Sequence, residues 1–238
     1  MGFKLLSSLL LPALVRAATT FTSTGNPILA DGSYYSADPA PLVVNNTLYI
    51  WAGRDEAPVG TNNFIMNEWQ VFATTSANPA DGTWTHYPNV TRPRTVFAWA
   101  ATGTAYAAQV VQGANGKFYL YAPVTQSSTS ASDKFAIGVA VADSPTGPYT
   151  DAHPSGPIVS QLVPSPGNSI QNIDPSVFVD TDGKVYLYEG EPYILIVARL
   201  AFSLFCRNLR TASRIPTCER HGHNYLCCHD HHWSYGIL

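Results

Sequence analysis

Charge is scarce in this chain. Only 12% of its 238 residues are Asp, Glu, Lys or Arg, and the net charge is −3. So sparse a charge, with acid slightly in excess, excludes capture of nucleic acid by electrostatics. Cysteine is missing from the first 205 residues; all four cysteines (206, 218, 227 and 228) fall near the end. Most of the chain is therefore held by a core, not by a disulfide framework. No segment suits a membrane span. Leu5 to Val15 and Tyr193 to Phe205 are apolar but short, and the second carries Arg199. Glutamate is rare, with five copies, at 56, 68, 189, 191 and 219.

What is present points to a folded, exported protein. The chain is 45% hydrophobic, too apolar for disorder, and long enough for one domain with a real core or two small ones. Lys4, the run Leu5 to Val15 and the small residue Ala17 read as a secretory leader over residues 1–17; a buried N-terminal helix is the alternative. The triplets at Asn45 and Asn89 fit N-glycosylation of a secreted chain, although such triplets also arise by chance. Aromatics reach 12%, with 13 Tyr and 5 Trp. They suit sugar binding and suit strands equally well.

Residues 19 to about 190 read as all-β, because short alternating runs are separated by Gly, Pro, Asn and Asp clusters. Three segments align: "ADPAPLVVNNTLYIWAG" from Ala37, "AAQVVQGANGKFYLYAP" from Ala107 and "IDPSVFVDTDGKVYLYEG" from Ile173. Each is a strand, a turn (Asn45-Asn46, Asn115-Gly116 or Asp182-Gly183) and a second strand with a tyrosine. Tyr49, Tyr119 and Tyr186 stand 70 and 67 residues apart. Further strands are expected in Glu68 to Thr75 and Lys134 to Ser144. A hairpin repeated at a long, even period predicts a β-propeller, whereas a β-sandwich predicts no internal repeat. In a propeller the heads of the innermost strands converge on one axial pocket. Asp38 and Asp174, each followed by proline, would meet there, and the second repeat would contribute Ala108 and Gln109. A lone Asp-Pro is better read as a strand cap; two in matching register favour a paired-carboxylate site.

The three motifs, in this order, resemble glycoside hydrolase family 43, over roughly residues 25 to 190. The resemblance implies a five-bladed propeller with xylosidase, arabinofuranosidase or arabinanase activity and an inverting mechanism. It implies that Asp38 is the general base activating water and that Asp174 tunes and orients the general acid. Base and acid must flank the sugar with room for a water, and a further carboxylate raises the acid's pKa. Trp99 matches a region that lines the pocket in the family, although a core tryptophan reads equally well; Gln109 is a second expected substrate contact. The expected partners are arabinose- or xylose-containing polysaccharides or oligosaccharides, with no nucleic acid, membrane or protein partner and no cofactor or metal.

The chain also departs from the family. The general acid should be a glutamate in a Glu-Gly-Pro-like motif one blade after Asp174. "EGEPY", Glu189 to Tyr193, imitates that motif but ends the third repeat's own hairpin. No glutamate is therefore assigned as the acid. After Gly190 the composition changes: all the cysteines, five of seven histidines (221, 223, 229, 231 and 232) and five of nine arginines fall there. "CERHGH" and "CCHDHH" repeat no zinc-ligand spacing, and the adjacent Cys227 and Cys228 suit no orderly disulfide framework. The expected organisation is a leader (1–17), about the first three blades of the propeller (18–190) and an unrelated tail (191–238). Three blades without closure leave sheet edges open, so poor folding or aggregation is expected.

Overall fold

A computed structural model describes residues 17–163, 170–181 and 183–190 in full, and the backbone alone of 196–200, 219–221, 224–229 and 232–236. All but Ala17 of the expected leader, and Asp182 of the third turn, lie outside the described residues. The protein is all-β; among the described residues there is a single four-residue helix, α1 (Pro93–Val96). Among the described residues no helix is long and apolar enough to cross a membrane.

The first sheet contains β1 (Thr19–Thr22), β2 (Tyr35–Val44), β3 (Thr47–Asp55), β4 (Met66–Thr74) and β5 (Thr83–Thr91) in the order β1-β5-β4-β3-β2. The second contains β6 (Gln109–Gln112), β7 (Phe118–Thr125), β8 (Phe135–Ala142) and β10 (Val159–Ser160) in the order β10-β8-β7-β6, and β9 (Thr150–Asp151) also pairs with β8. The third runs β11 (Ser176–Val179), β12 (Val185–Glu189), β13 (Ile196–Leu200). Every pairing within these sheets is antiparallel. The backbone of β14 (Glu219–His221), β15 (Asn224–His229) and β16 (His232–Gly236) forms a further antiparallel sheet.

The expected hairpins are β2–β3, β6–β7 and β11–β12. Their turns follow from local chemistry. Asn45 and Asn46 both take positive φ, 48° and 58°, the conformation a two-residue hairpin needs and Asn tolerates. The second and third hairpins share a wider turn. Gly113 N–H donates to Lys117 C=O and Gly116 N–H to Gly113 C=O; Asp180, Lys184 and Gly183 repeat the same two bonds 67 residues later. The repeat is thus a repeat of hydrogen bonding as well as of letters.

Period-2 alternation then decides the packing. In the second sheet, Leu120, Ala122 and Val124 of β7 and Ala140 and Ala142 of β8 join Trp51, Trp69 and Val71 of the first sheet in one core. Tyr121, Ile137 and Val139 point the opposite way and join Val177, Val185 and Leu187 of the third sheet in a second core. Both faces of the second sheet are therefore buried, each against a neighbouring sheet. Trp51, Trp69, Leu120, Ile137 and Leu187 have no exposed surface. Each such side chain contributes about 1.5–3 kcal/mol by leaving water.

Gly53 shows how tight the packing is. A Cβ on Gly53 of β3 would lie 2.5 Å from the carbonyl oxygen of Ala105 and 3.1 Å from Met66 Sδ. That oxygen belongs to backbone tied by the bond from Ala105 N–H to Met66 C=O, at 2.8 Å, so it has little room to retreat. Gly53→Ala is expected to destabilise the fold by about 1–3 kcal/mol, read as a lowered midpoint in denaturant titration; an unchanged midpoint would show that the two segments are not in contact.

Glu189 occupies the buried face of β12 beside Val185 and Leu187. It is 4% exposed, and both carboxyl oxygens are buried without a hydrogen-bond partner among the described residues. Burial pushes its pKa from an ordinary 4.5 to about 7. Between those values the folded chain holds a proton that the unfolded chain has released, so stability falls as pH rises through this window. Glu189→Gln is expected to flatten this fall and to melt higher than the wild type at about pH 8; melting curves across pH check it, and a variant with the wild-type slope would contradict it.

Candidate functional site

The leading strands of the three sheets lie side by side, with β6 in contact with β2 on one side and β11 on the other. Their heads surround a cleft of about 300 Å³ lined by Asp38 to Pro41, Ala107 to Gln109 and Asp174 to Ser176. Two aspartates 136 positions apart in sequence thus share one cleft, with the second repeat forming the wall between them. Both are exposed to solvent.

The backbone at these aspartates is unusual, and it is the same twice. Asp38 has φ 54° and Asp174 has φ 52°. A left-handed residue directly before proline is sterically restricted, and each such residue costs on the order of 1–3 kcal/mol. The β2–β3 ladder shows how the conformation arises. Ala37 pairs with Gly53 and Ala40 with Trp51, so Asp38 and Pro39 together face the single residue Ala52. This β-bulge bends the strand and takes Asp38 out of the pairing. Proline suits the bulge because it has no N–H to leave unpaired. In the third sheet Gly190 N–H donates to Ile173 C=O at 3.1 Å, so here too the residue before the aspartate sits across from a glycine.

A buried polar network braces the first bulge. Gln70 of β4, with no exposed surface, donates from Nε2 to Tyr35 C=O and to Ser36 Oγ, both at 3.0 Å. Its Oε1 meets His86 Nε2 of β5 at 2.9 Å, so the buried His86 ring carries its proton on Nε2. His86 stacks on Phe72, with centroids 4.5 Å apart, and Tyr34 meets its ring edge-on at 4.4 Å. Beside this network Glu68, 1% exposed, accepts from Arg54 at 3.2 Å and from Arg92 at 2.9 Å, and the Arg54 guanidinium lies 4.7 Å over the Tyr34 ring. The segment leading into Asp38 is therefore fixed by side chains from β3, β4 and β5.

The expected site residues divide. Asp38, Gln109 and Asp174 come together at the cleft. Trp99 does not line it. It packs on the first core, tilted against Phe97 with centroids 5.3 Å apart, and its buried indole N–H has no hydrogen-bond partner among the described residues. Burial raises the pKa of Asp151; the His153 N–H partly offsets that rise. Gln109 presents its side chain to the third sheet, where Oε1 accepts the Val177 N–H. Glu189 is in the second sheet–third sheet interior and is not part of the cleft wall. Among the described residues no three His, Cys, Asp or Glu side chains gather as a metal site. Sequence reasoning did not single out Ser36, Gln70 or His86. The available signal was Gln70 alternating with Trp69 and Val71 in a strand whose polar positions would ordinarily face water.

The model for glycosyl hydrolases family 43 matches residues 24–200. The chain is 33% identical over 196 residues to an arabinoxylan arabinofuranohydrolase of Bacillus subtilis, covering 73% of this chain and 35% of that protein. It is 34% identical over 164 residues to xylosidase/arabinosidase 43A of Humicola insolens, covering 66% of this chain and 43% of that protein. It spans less than half the length of either relative. Among solved structures, an α-L-arabinofuranosidase from Clostridium thermocellum superposes with a TM-score of 0.53 at 28% identity, covering 86% of this chain and 65% of that one. Matched along most of its described length by the family model, the chain belongs to glycoside hydrolase family 43.

Proposed function

We propose that this chain carries the base-bearing part of a secreted, inverting glycoside hydrolase of the arabinofuranosidase/xylosidase type, acting on hemicellulose or arabinan. The three sheets are then the first three blades of a five-bladed propeller, and the cleft is the axial pocket where a terminal sugar sits. The observation that carries the reading is the pair of aspartates held at matching left-handed φ on one cleft. Backbone strain repeated at two equivalent positions is hard to explain by strand capping, and strain concentrates where chemistry needs it.

In this reading Asp38 is the general base. Its exposed carboxylate takes a proton from a water that attacks the anomeric carbon. Asp174, across the cleft, orients and tunes the general acid. The half-buried Gln109 offers its amide to the sugar from the wall between them. The acid itself is unassigned, since Glu189 is buried away from the cleft. Hydrolysis of natural glycosides, whose leaving alkoxide needs a proton, is accordingly impaired. The same reading makes residues after about 200, not from 191, sequence foreign to the blades, since β13 still pairs with β12 and the family model runs to residue 200; an mRNA that skips the codons after Leu200 and resumes in a Glu-Gly-Pro-like motif is the expected finding, and one uninterrupted exon would contradict it.

A second reading, a carbohydrate-binding propeller fragment without catalysis, rests on the missing acid. Aryl glycosides separate the two, because a nitrophenolate leaves without protonation. The expected result is slow release of nitrophenol from 4-nitrophenyl α-L-arabinofuranoside or β-D-xyloside, with no sugar released from the alkyl glycosides. Asp38→Ala should lower that release by about 10²–10⁴-fold, the usual contribution of a positioned base. Binding of the sugars without nitrophenol release would favour the second reading.

A further inference from the structure

The first aspartate is fixed within its own sheet, through Gln70 to Tyr35 and Ser36. The second depends on a different sheet. Val177 stands three residues after Asp174, with Pro175 and Ser176 between them. Its N–H is directed to Gln109 Oε1 of β6, across the seam between the second and third sheets. Strands β6 and β11 are neighbours but share no ladder. One side-chain amide therefore takes the place of a strand pairing at the point where the left-handed turn at Asp174 enters its sheet. Pro175 limits backbone rotation after Asp174, and Ser176 is held by its pairing with Tyr188, so holding the Val177 N–H holds the carboxyl side of that turn. The bond from Gly190 N–H to Ile173 C=O holds the amino side. Gln109 also lines the cleft between the two aspartates.

We propose that Gln109 is a positioning residue: its Oε1 is a strut that sets where Asp174 stands relative to Asp38. This role deepens the glycosidase reading and rests on it only for its catalytic meaning; the strut itself is independent of turnover. It asks for an acceptor oxygen at the end of a two-carbon arm. A purely sugar-binding role would use the amide's donor. Gln109→Glu keeps the acceptor and loses the donor, and Gln109→Leu loses both at similar volume.

The test is amide hydrogen exchange by NMR on the full chain, with the Leu120 amide of β7 as internal reference. Gln109→Leu is expected to speed exchange at Val177 by about three- to tenfold, the loss of one net hydrogen bond, with Leu120 unchanged. Gln109→Glu is expected to restore wild-type protection at Val177. The Asp174 carboxyl ¹³C shift should move in Gln109→Leu while that of Asp38 stays. The KM for nitrophenyl glycosides is read in the same variants. Wild-type protection at Val177 in Gln109→Leu would overturn the strut, and so would Gln109→Glu behaving like Gln109→Leu in exchange. A rise in KM alone, with Val177 protection intact, would assign Gln109 to sugar binding instead. Exchange needs no turnover, so a chain that hydrolyses nothing would count against the glycosidase reading and leave the strut result standing.

Discussion

Burial of both faces of the second sheet is the constraint on which the rest of this structure depends. A sheet that must cover Leu120 and Ala140 on one side and Tyr121 and Ile137 on the other needs a sheet against each face. That requirement stacks the first, second and third sheets in chain order and brings their leading strands side by side. The cleft is a by-product of this stacking, because the heads of β2, β6 and β11 meet where the sheets converge. The stack also explains the composition. Charge is scarce because the strands of the second sheet have no polar face to present.

The aspartates add a local constraint to that frame. A bulge at Ala37–Ala40 takes Asp38 out of its ladder, and left-handed backbone sets both Asp38 and Asp174 apart from regular pairing. Regular strand geometry would have pointed them along a sheet face. The segments that carry the two aspartates are braced by glutamines used in opposite senses. Gln70 donates to the amino side of the first, and Gln109 accepts from the carboxyl side of the second. An amide suits such places better than a charge: it bonds in both directions and costs less to bury than an unpaired carboxylate. Glu189 shows the contrast. Its buried carboxyl has no partner among the described residues, and burial raises its pKa toward neutrality.

Much of this was legible in the sequence because hairpins are local. Asn45-Asn46 and Asn115-Gly116 mark turns whose φ values only Asn and Gly adopt readily. The alternating runs beside them fix the strands, and the recurrence of Asp-Pro placed two carboxylates in equivalent positions before any coordinates. Strand β1 was less legible. Its four residues, Thr19–Thr22, are mostly polar, and they form a strand only because β5 offers an edge to pair with. Trp99 was ambiguous for a related reason: an aromatic suits a pocket wall and a core alike, and its place on the first core rests on contacts distant in sequence.

The sequence by itself determined the repeat, the turns, the all-β class and the identity of the paired carboxylates, since each of these follows from spacing and backbone preference within a few residues. Only the tertiary structure decided which polar residues are buried and what they hold. Gln70 alternates with Trp69 and Val71 and reads as solvent-facing, and stacking turned it, with the buried His86, into a brace behind Asp38. Gln109 reads as one more residue at the head of a strand. Its bond to Val177, 68 residues further along, exists because two sheets meet there, and no local preference encodes a meeting of sheets.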